Sequence, residues 1–291
     1  MKTMKKIEQI ITPPTPHMVG DGFRVHGFLP SNDIGTFRTN PFVLLDYFSK
    51  YEFPPSDTPK GVGPHPHRGF ETVTFVYHGK IAHHDSAGNS GVIGEGDVQW
   101  MTAGSGILHK EYHEKEFSKK GGVAQGVQLW VNLPSKNKMS PPKYQPLLHS
   151  DMGKLYLEDK AGIINVIAGN YKETKGPAST FTPMFVYDIR LNQGTIFEAS
   201  FPEHYNTCAI IIEGDVHMND ETVPEDHLAL FQNTGTDITL KASLKSAILL
   251  LSGEPIDEPI VQFGPFVMNT HKEIDQAVDD FNNGRFGYLE D

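Results

Sequence analysis

A chain of 291 residues has room for one large or two ordinary domains, at about 150 residues each, and for a sizeable core. With 38% hydrophobic and 21% charged residues it fits neither a disordered polyampholyte nor a membrane bundle. Thirty-six Asp and Glu against 25 Lys and Arg leave a formal charge of −11, a field that repels phosphate backbones and anionic lipid heads and disfavours direct nucleic-acid or membrane binding.

Met1 to Lys6 is basic, but Glu8 and Gln9 come directly after it and no apolar signal-peptide stretch develops. The single cysteine, Cys208, cannot close an intrachain disulfide, which suits a reducing, cytoplasmic setting. Nowhere do about 18 apolar residues run together, so no segment is expected to span a membrane. The 28 glycines and 21 prolines cut the chain into short pieces, a pattern that favours an all-β fold.

In chain order, Val73, Phe75 and Tyr77 alternate with Thr72 and Thr74, which predicts a half-buried strand closing at Gly79. His83-His84-Asp85, beside a Gly/Ser/Asn turn, reads as an exposed hairpin tip. Val127, Leu129, Val131 and Leu133 alternate with Gln128 and Asn132 in a second strand that Pro134 ends. Residues 136–146 hold three prolines and three lysines and read as a linker between a first domain, 1–135, and a second, 147–262. Downstream, Cys208 to Val216 echoes Thr72 to Lys80, suggesting two related β units in tandem, each a small barrel or jelly roll. Within the tail, 263–291, Thr270 to Glu273 forms a capping-box pattern, and Ile274, Ala277, Val278 and Phe281 share one face of a short C-terminal helix.

The residues with the most chemical content are His65-Pro-His67 and, some forty positions on, Gly106-Ile-Leu-His109-Lys-Glu111. Residues two apart on a strand share a face with Cα atoms about 6.5 to 7 Å apart, so two imidazoles so spaced can meet at one ion. If the two segments lie on neighbouring strands, three nitrogens and a carboxylate oxygen can surround a divalent transition metal. Glu71 shares the parity of His67, and His113 that of His109 and Glu111, so spacing alone leaves the fourth ligand open.

At these residues the chain resembles the pirins, members of the cupin superfamily, over nearly its whole length. The matching stretches are His65 to Val73, Gly96 to Gly104, Gly106 to His109, Val127 to Pro134 and Gly264 to Thr270. The resemblance implies a bicupin of two tandem barrels, with metal in the N-terminal barrel only and the tail packing back toward it. It places the ligands at His65, His67, His109 and Glu111, and leaves Glu71 outside the ligand set. The second half, without a histidine pair, is expected to be metal-free.

Pirin-like proteins are associated with quercetin 2,3-dioxygenase activity, and this resemblance implies a flavonol-like substrate, dioxygen and one divalent metal. Fe(II) is the first choice, with Ni, Co, Cu, Mn or Zn as alternatives, and Glu111 serves as ligand and proton acceptor. The alternative is an iron-dependent regulatory or redox-sensing protein acting through protein partners. An enzyme needs an open cavity reaching the metal, whereas a sensor needs only the metal and a responsive surface. A monomer is expected, and Phe70, Val73, Phe75, Trp100, Met101 and Trp130 are assigned to core packing.

Overall fold

Short apolar runs punctuated by glycine and proline fold into strands that satisfy their backbone groups by pairing with one another. The computed structural model describes residues 3–31 and 34–290. Its chain separates into two compact units, and neither is continuous in sequence. One comprises Thr15–Phe37, Phe42–His149 and the chain from Ile256 onward; the other holds the residues up to Pro14, Arg38–Pro41 and Ser150–Pro255.

Each unit is built from a seven-stranded and a four-stranded sheet with the same strand order. In the first, the long sheet runs Lys143–Leu147, Val98–Thr102, Phe70–His78, Gly122–Asn132, Phe42–Phe53, Phe23–Leu29, His17–Val19. Its short sheet runs Gly61–His67, Ile107–His113, Ile81–Asp85, Ser90–Ile93. In the second, Ile7–Ile11 occupies the edge place that Lys143–Leu147 holds in the first. These are two tandem cupin-type barrels, and among the described residues no helix is long and apolar enough to cross a membrane.

Two boundaries differ from the sequence expectation. The stretch expected to be a linker, 136–146, instead supplies an edge strand that pairs with Val98–Thr102, with Tyr144 opposite Met101. Pro146 is tolerated because an edge strand has one unpaired side, so its proline content misleads. The first residues, expected in the first domain, pair with Leu228–Phe231 of the other barrel, where Ile7 and Ile10 pack on the core. That run is too short to show a period.

The strand expectations hold for position and fail for orientation. Phe70–His78 is buried on nearly every residue, and the polar parity, Thr72 and Thr74, faces the barrel interior. Gln128 and Trp130 face inward in the same way. The His83-His84-Asp85 segment is interior strand, with His83 fully buried, and the turn comes after it.

The C-terminal helix, His271–Asn282, starts at Thr270 with the expected capping box, and Ile274 and Ala277 are buried while Phe281 is 39% exposed. The segment before it runs beside the loop after His67. Arg68 pairs with Asp280 at 2.8 Å, its guanidinium lies over the Phe286 ring, and the Val267 amide donates to the Arg68 carbonyl. Gly69 has φ +88°, and a Cβ there would sit 2.0 Å from the Val267 carbonyl oxygen, so no other residue fits.

Lys138 closes this junction from within the expected linker. Its Nζ, fully buried, donates to the Gly69 carbonyl, Asn132 Oδ1 and the Val267 carbonyl at 2.7 to 2.9 Å. Burial pushes the ammonium down to about 7, whereas three acceptors favour the three-proton form. Lys138→Met keeps the volume and strands three acceptors, so urea unfolding should show a loss of about 3 kcal/mol. A change below about 1 kcal/mol would show that Lys138 does not hold the junction.

Candidate metal centre

His65 and His67 lie on Gly61–His67, and His109 lies on the antiparallel neighbour Ile107–His113. His109 is directly opposite His65 and Ile107 opposite His67, so all three side chains share the barrel's inner face. Between the His109 pair and the Glu111–Val62 pair the first strand carries one extra residue, at Gly63-Pro64. Such a bulge bends its strand and re-aims the side chains beside it.

The result is a convergent trio. Ring centroids are 4.2 Å apart for His65 and His109, and 4.8 Å for His67 with either partner. One nitrogen from each ring lies within 4.8 Å of the other two, and among the described residues no other group of His, Cys, Asp or Glu converges in this way.

The electrostatics suit a cation ligand set. Burial pushes the His67 and His109 imidazoles well below their ordinary range and lowers His65 too, so all three are neutral with lone pairs available. The His65 Nδ1 lies 2.8 Å from the Gly63 carbonyl, which holds that nitrogen as the donor and leaves Nε2 free. Both nitrogens of His109 and Nδ1 of His67 are buried without a hydrogen-bond partner. A buried polar atom left unpaired costs about 1 to 3 kcal/mol, and a shared ion would give one nitrogen of each ring a partner. The donor set, three imidazoles without thiolate, fits a first-row divalent metal.

Glu111 is not one of the converging trio, but it borders the same cavity, with Oε1 accepting a hydrogen bond from the Thr74 hydroxyl at 3.1 Å. Burial pushes its carboxyl up to about 7. Glu71 is fully buried, with Oε1 accepting from the Thr102 hydroxyl. His113 bonds the Gly22 carbonyl at 2.9 Å, outside the trio.

A cavity of about 310 Å³ reaches His65 and His67, and its walls are largely apolar, including Val19, Phe23, Val25 and Phe48. Of the six large residues assigned to packing, Trp130 does line this cavity, stacked on Phe70 at 4.1 Å. Thr74, Gln128 and Asp46 also line it and were not singled out in the sequence, although their polar character inside strand-like runs was the available signal. In the second barrel the corresponding strand pair sets Ala199 opposite Ile238 and Phe197 opposite Leu240, all buried in its core. Apolar side chains fill the place that imidazoles hold in the first.

Two cupin barrels, one carrying a cluster of imidazoles, define a bicupin with, among the described residues, a single candidate metal centre. Family models described as Pirin and as Pirin C-terminal cupin domain match residues 22–131 and 186–287. A Pseudomonas aeruginosa protein provisionally named a quercetin 2,3-dioxygenase is 48% identical over 97% of this chain and 99% of its own. Pirin-like protein 2 of Arabidopsis thaliana is 42% identical over 86% of this chain and 76% of its own length. The crystal structure of a quercetin 2,3-dioxygenase from Acinetobacter baumannii matches with a TM-score of 0.94 at 44% identity, over 99% of this chain and 100% of that one. A bacterial pirin from Escherichia coli in complex with nickel(II) shares the fold, with a TM-score of 0.63 at 19% identity over 85% of this chain and 99% of that one. The chain belongs to the pirin family.

Because many other contacts build the barrel, His67→Ala should lower metal affinity at least ten-fold and leave the far-ultraviolet circular dichroism unchanged. Elemental analysis after dialysis reads the first. Stoichiometric metal retained by the variant would contradict the site.

Proposed function

We propose that this pirin is a metal-dependent flavonol 2,3-dioxygenase, with the ion held by His65, His67 and His109 and with Glu111 as fourth ligand and proton acceptor. The observation that carries this reading is the largely apolar cavity that reaches the imidazole cluster and has Glu111 on its wall. A sensor would not need such access. The names of the P. aeruginosa relative and the A. baumannii structure support the same activity. Fe(II) is our assignment for the ion; nickel(II), which the E. coli pirin binds, comes second.

The chemistry an ion supplies at such a cluster is Lewis acidity toward an acidic hydroxyl of the substrate. The protein's part is to hold that hydroxyl, take its proton and keep water away. Glu111 is suited to the proton because burial raises its affinity for one to the neutral range. Thr74 accommodates both of its states. Thr74 Oγ1 lies 2.7 Å from Gln128 Oε1 and 3.1 Å from Glu111 Oε1, two acceptors for a single hydroxyl proton. When Glu111 is ionised the hydroxyl can turn to it; when protonated, Glu111 donates to Thr74, and Thr74 to Gln128. The apolar walls exclude water from the bound ring system.

Metal-loaded protein mixed with quercetin should lose flavonol absorbance in air and keep it under argon. No metal-dependent loss in air would overturn the enzyme reading and favour a regulatory protein. Glu111→Gln removes the base, so turnover should fall by about 10²-fold or more. Unchanged turnover would reject Glu111 as proton acceptor.

A further inference from the structure

Strand Phe42–Phe53 presents Leu44, Asp46 and Phe48 to the cavity, an alternation in which the middle residue is the anomaly. A carboxylate between two apolar neighbours in an apolar wall should have a partner. None is supplied by the chain: the Asp46 carboxylate makes no hydrogen bond or ion pair among the described residues.

Its surroundings explain why. On one side the paired residue is Gly27, which has no side chain, and a Cβ there would stand 3.2 Å from Asp46 Oδ1. On the other side the paired residue is Gln128, whose amide is turned to the next strand: Oε1 accepts from Thr74, and Nε2 donates one of its two hydrogens to Thr72. The His17 imidazole is the one titratable group that acts on Asp46, and it does not reach ion-pair distance. Burial pushes the Asp46 carboxyl up to about 6, which leaves it mostly an ionised acceptor at neutral pH.

Asp46, Gln128 and Thr74 stand in register on three adjacent strands. Two interstrand spacings put Asp46 about 10 Å from Thr74, and Thr74 touches Glu111. A row of polar side chains, Asp46, Gln128, Thr74 and Glu111, therefore crosses an otherwise largely apolar cavity, with the imidazoles at one end and Asp46 at the other.

We infer that Asp46 is a positioning residue that accepts a hydrogen bond from a second, distal hydroxyl of an aromatic substrate whose first hydroxyl lies at the imidazole cluster. This rests on the flavonol reading of the cavity and narrows it to polyhydroxylated aromatic ring systems. A ligand without the distal donor would cover this half-buried carboxylate and leave it unpaired, the kind of mismatch that discriminates between substrates.

The test is anaerobic equilibrium binding, by fluorescence, of quercetin and of 3-hydroxyflavone, which keeps the chelating 3-hydroxyl and lacks all the others. Metal-loaded wild type, Asp46→Ala and the near-isosteric Asp46→Asn are compared. The ratio of the two Kd values within one preparation is insensitive to the folded fraction. Wild type should prefer quercetin; Asp46→Ala should weaken quercetin at least ten-fold and change 3-hydroxyflavone less than two-fold, with Asp46→Asn in between. Equal effects on both ligands, or none on quercetin, would overturn the role of Asp46 and leave the flavonol reading standing. Failure of wild type to bind either ligand would overturn both.

Discussion

The structure turns on a cluster of neutral imidazoles that the protein itself does not satisfy. Burial keeps His65, His67 and His109 in their neutral form, and the strand pairing brings their rings within 4.2 to 4.8 Å of one another, while three of their nitrogens have no hydrogen-bond partner. That arrangement is costly for a protein alone and favourable for one that holds a divalent ion. Much of the first unit serves to keep it in place. The bulge at Gly63-Pro64 aims His65, and the Arg68–Asp280 pair, the Gly69 approach to Val267 and the Lys138 ammonium fix the loop that leaves His67.

The second barrel is an internal control on this account. It repeats the strand order of the first, down to an edge strand in the same place, so topology alone does not make a metal centre. What differs is the side chains on one strand pair: Phe197, Ala199, Ile238 and Leu240 pack where the first barrel has His65, His67 and His109. A barrel interior can be a packed apolar core or a chemical cavity, and a handful of residues on two strands decides which.

Much of this was legible in the sequence, and the failures have a common cause. The His-X-His and His-X-Glu spacings placed four residues on one inner face because period two is a property of the backbone itself. The capping box at Thr270 was legible for a similar reason, since it is local. Illegible was which face of a strand points inward: Thr72, Thr74 and Gln128 looked solvent-facing because polar residues usually are, yet here they point into the barrel, among largely apolar walls. Asp46 was missed for the same reason. The two edge strands were missed because Ile7–Ile11 and Lys143–Leu147 belong to their barrels through pairing with strands distant in sequence.

X-ray absorption spectroscopy at the metal edge of the protein as isolated addresses the cluster most directly, since imidazole rings leave a distinctive multiple-scattering pattern. The account requires one ion per chain with three imidazole ligands, light-atom donors in the remaining positions and no sulfur. A spectrum with fewer than three imidazoles, or with a sulfur ligand, would contradict it.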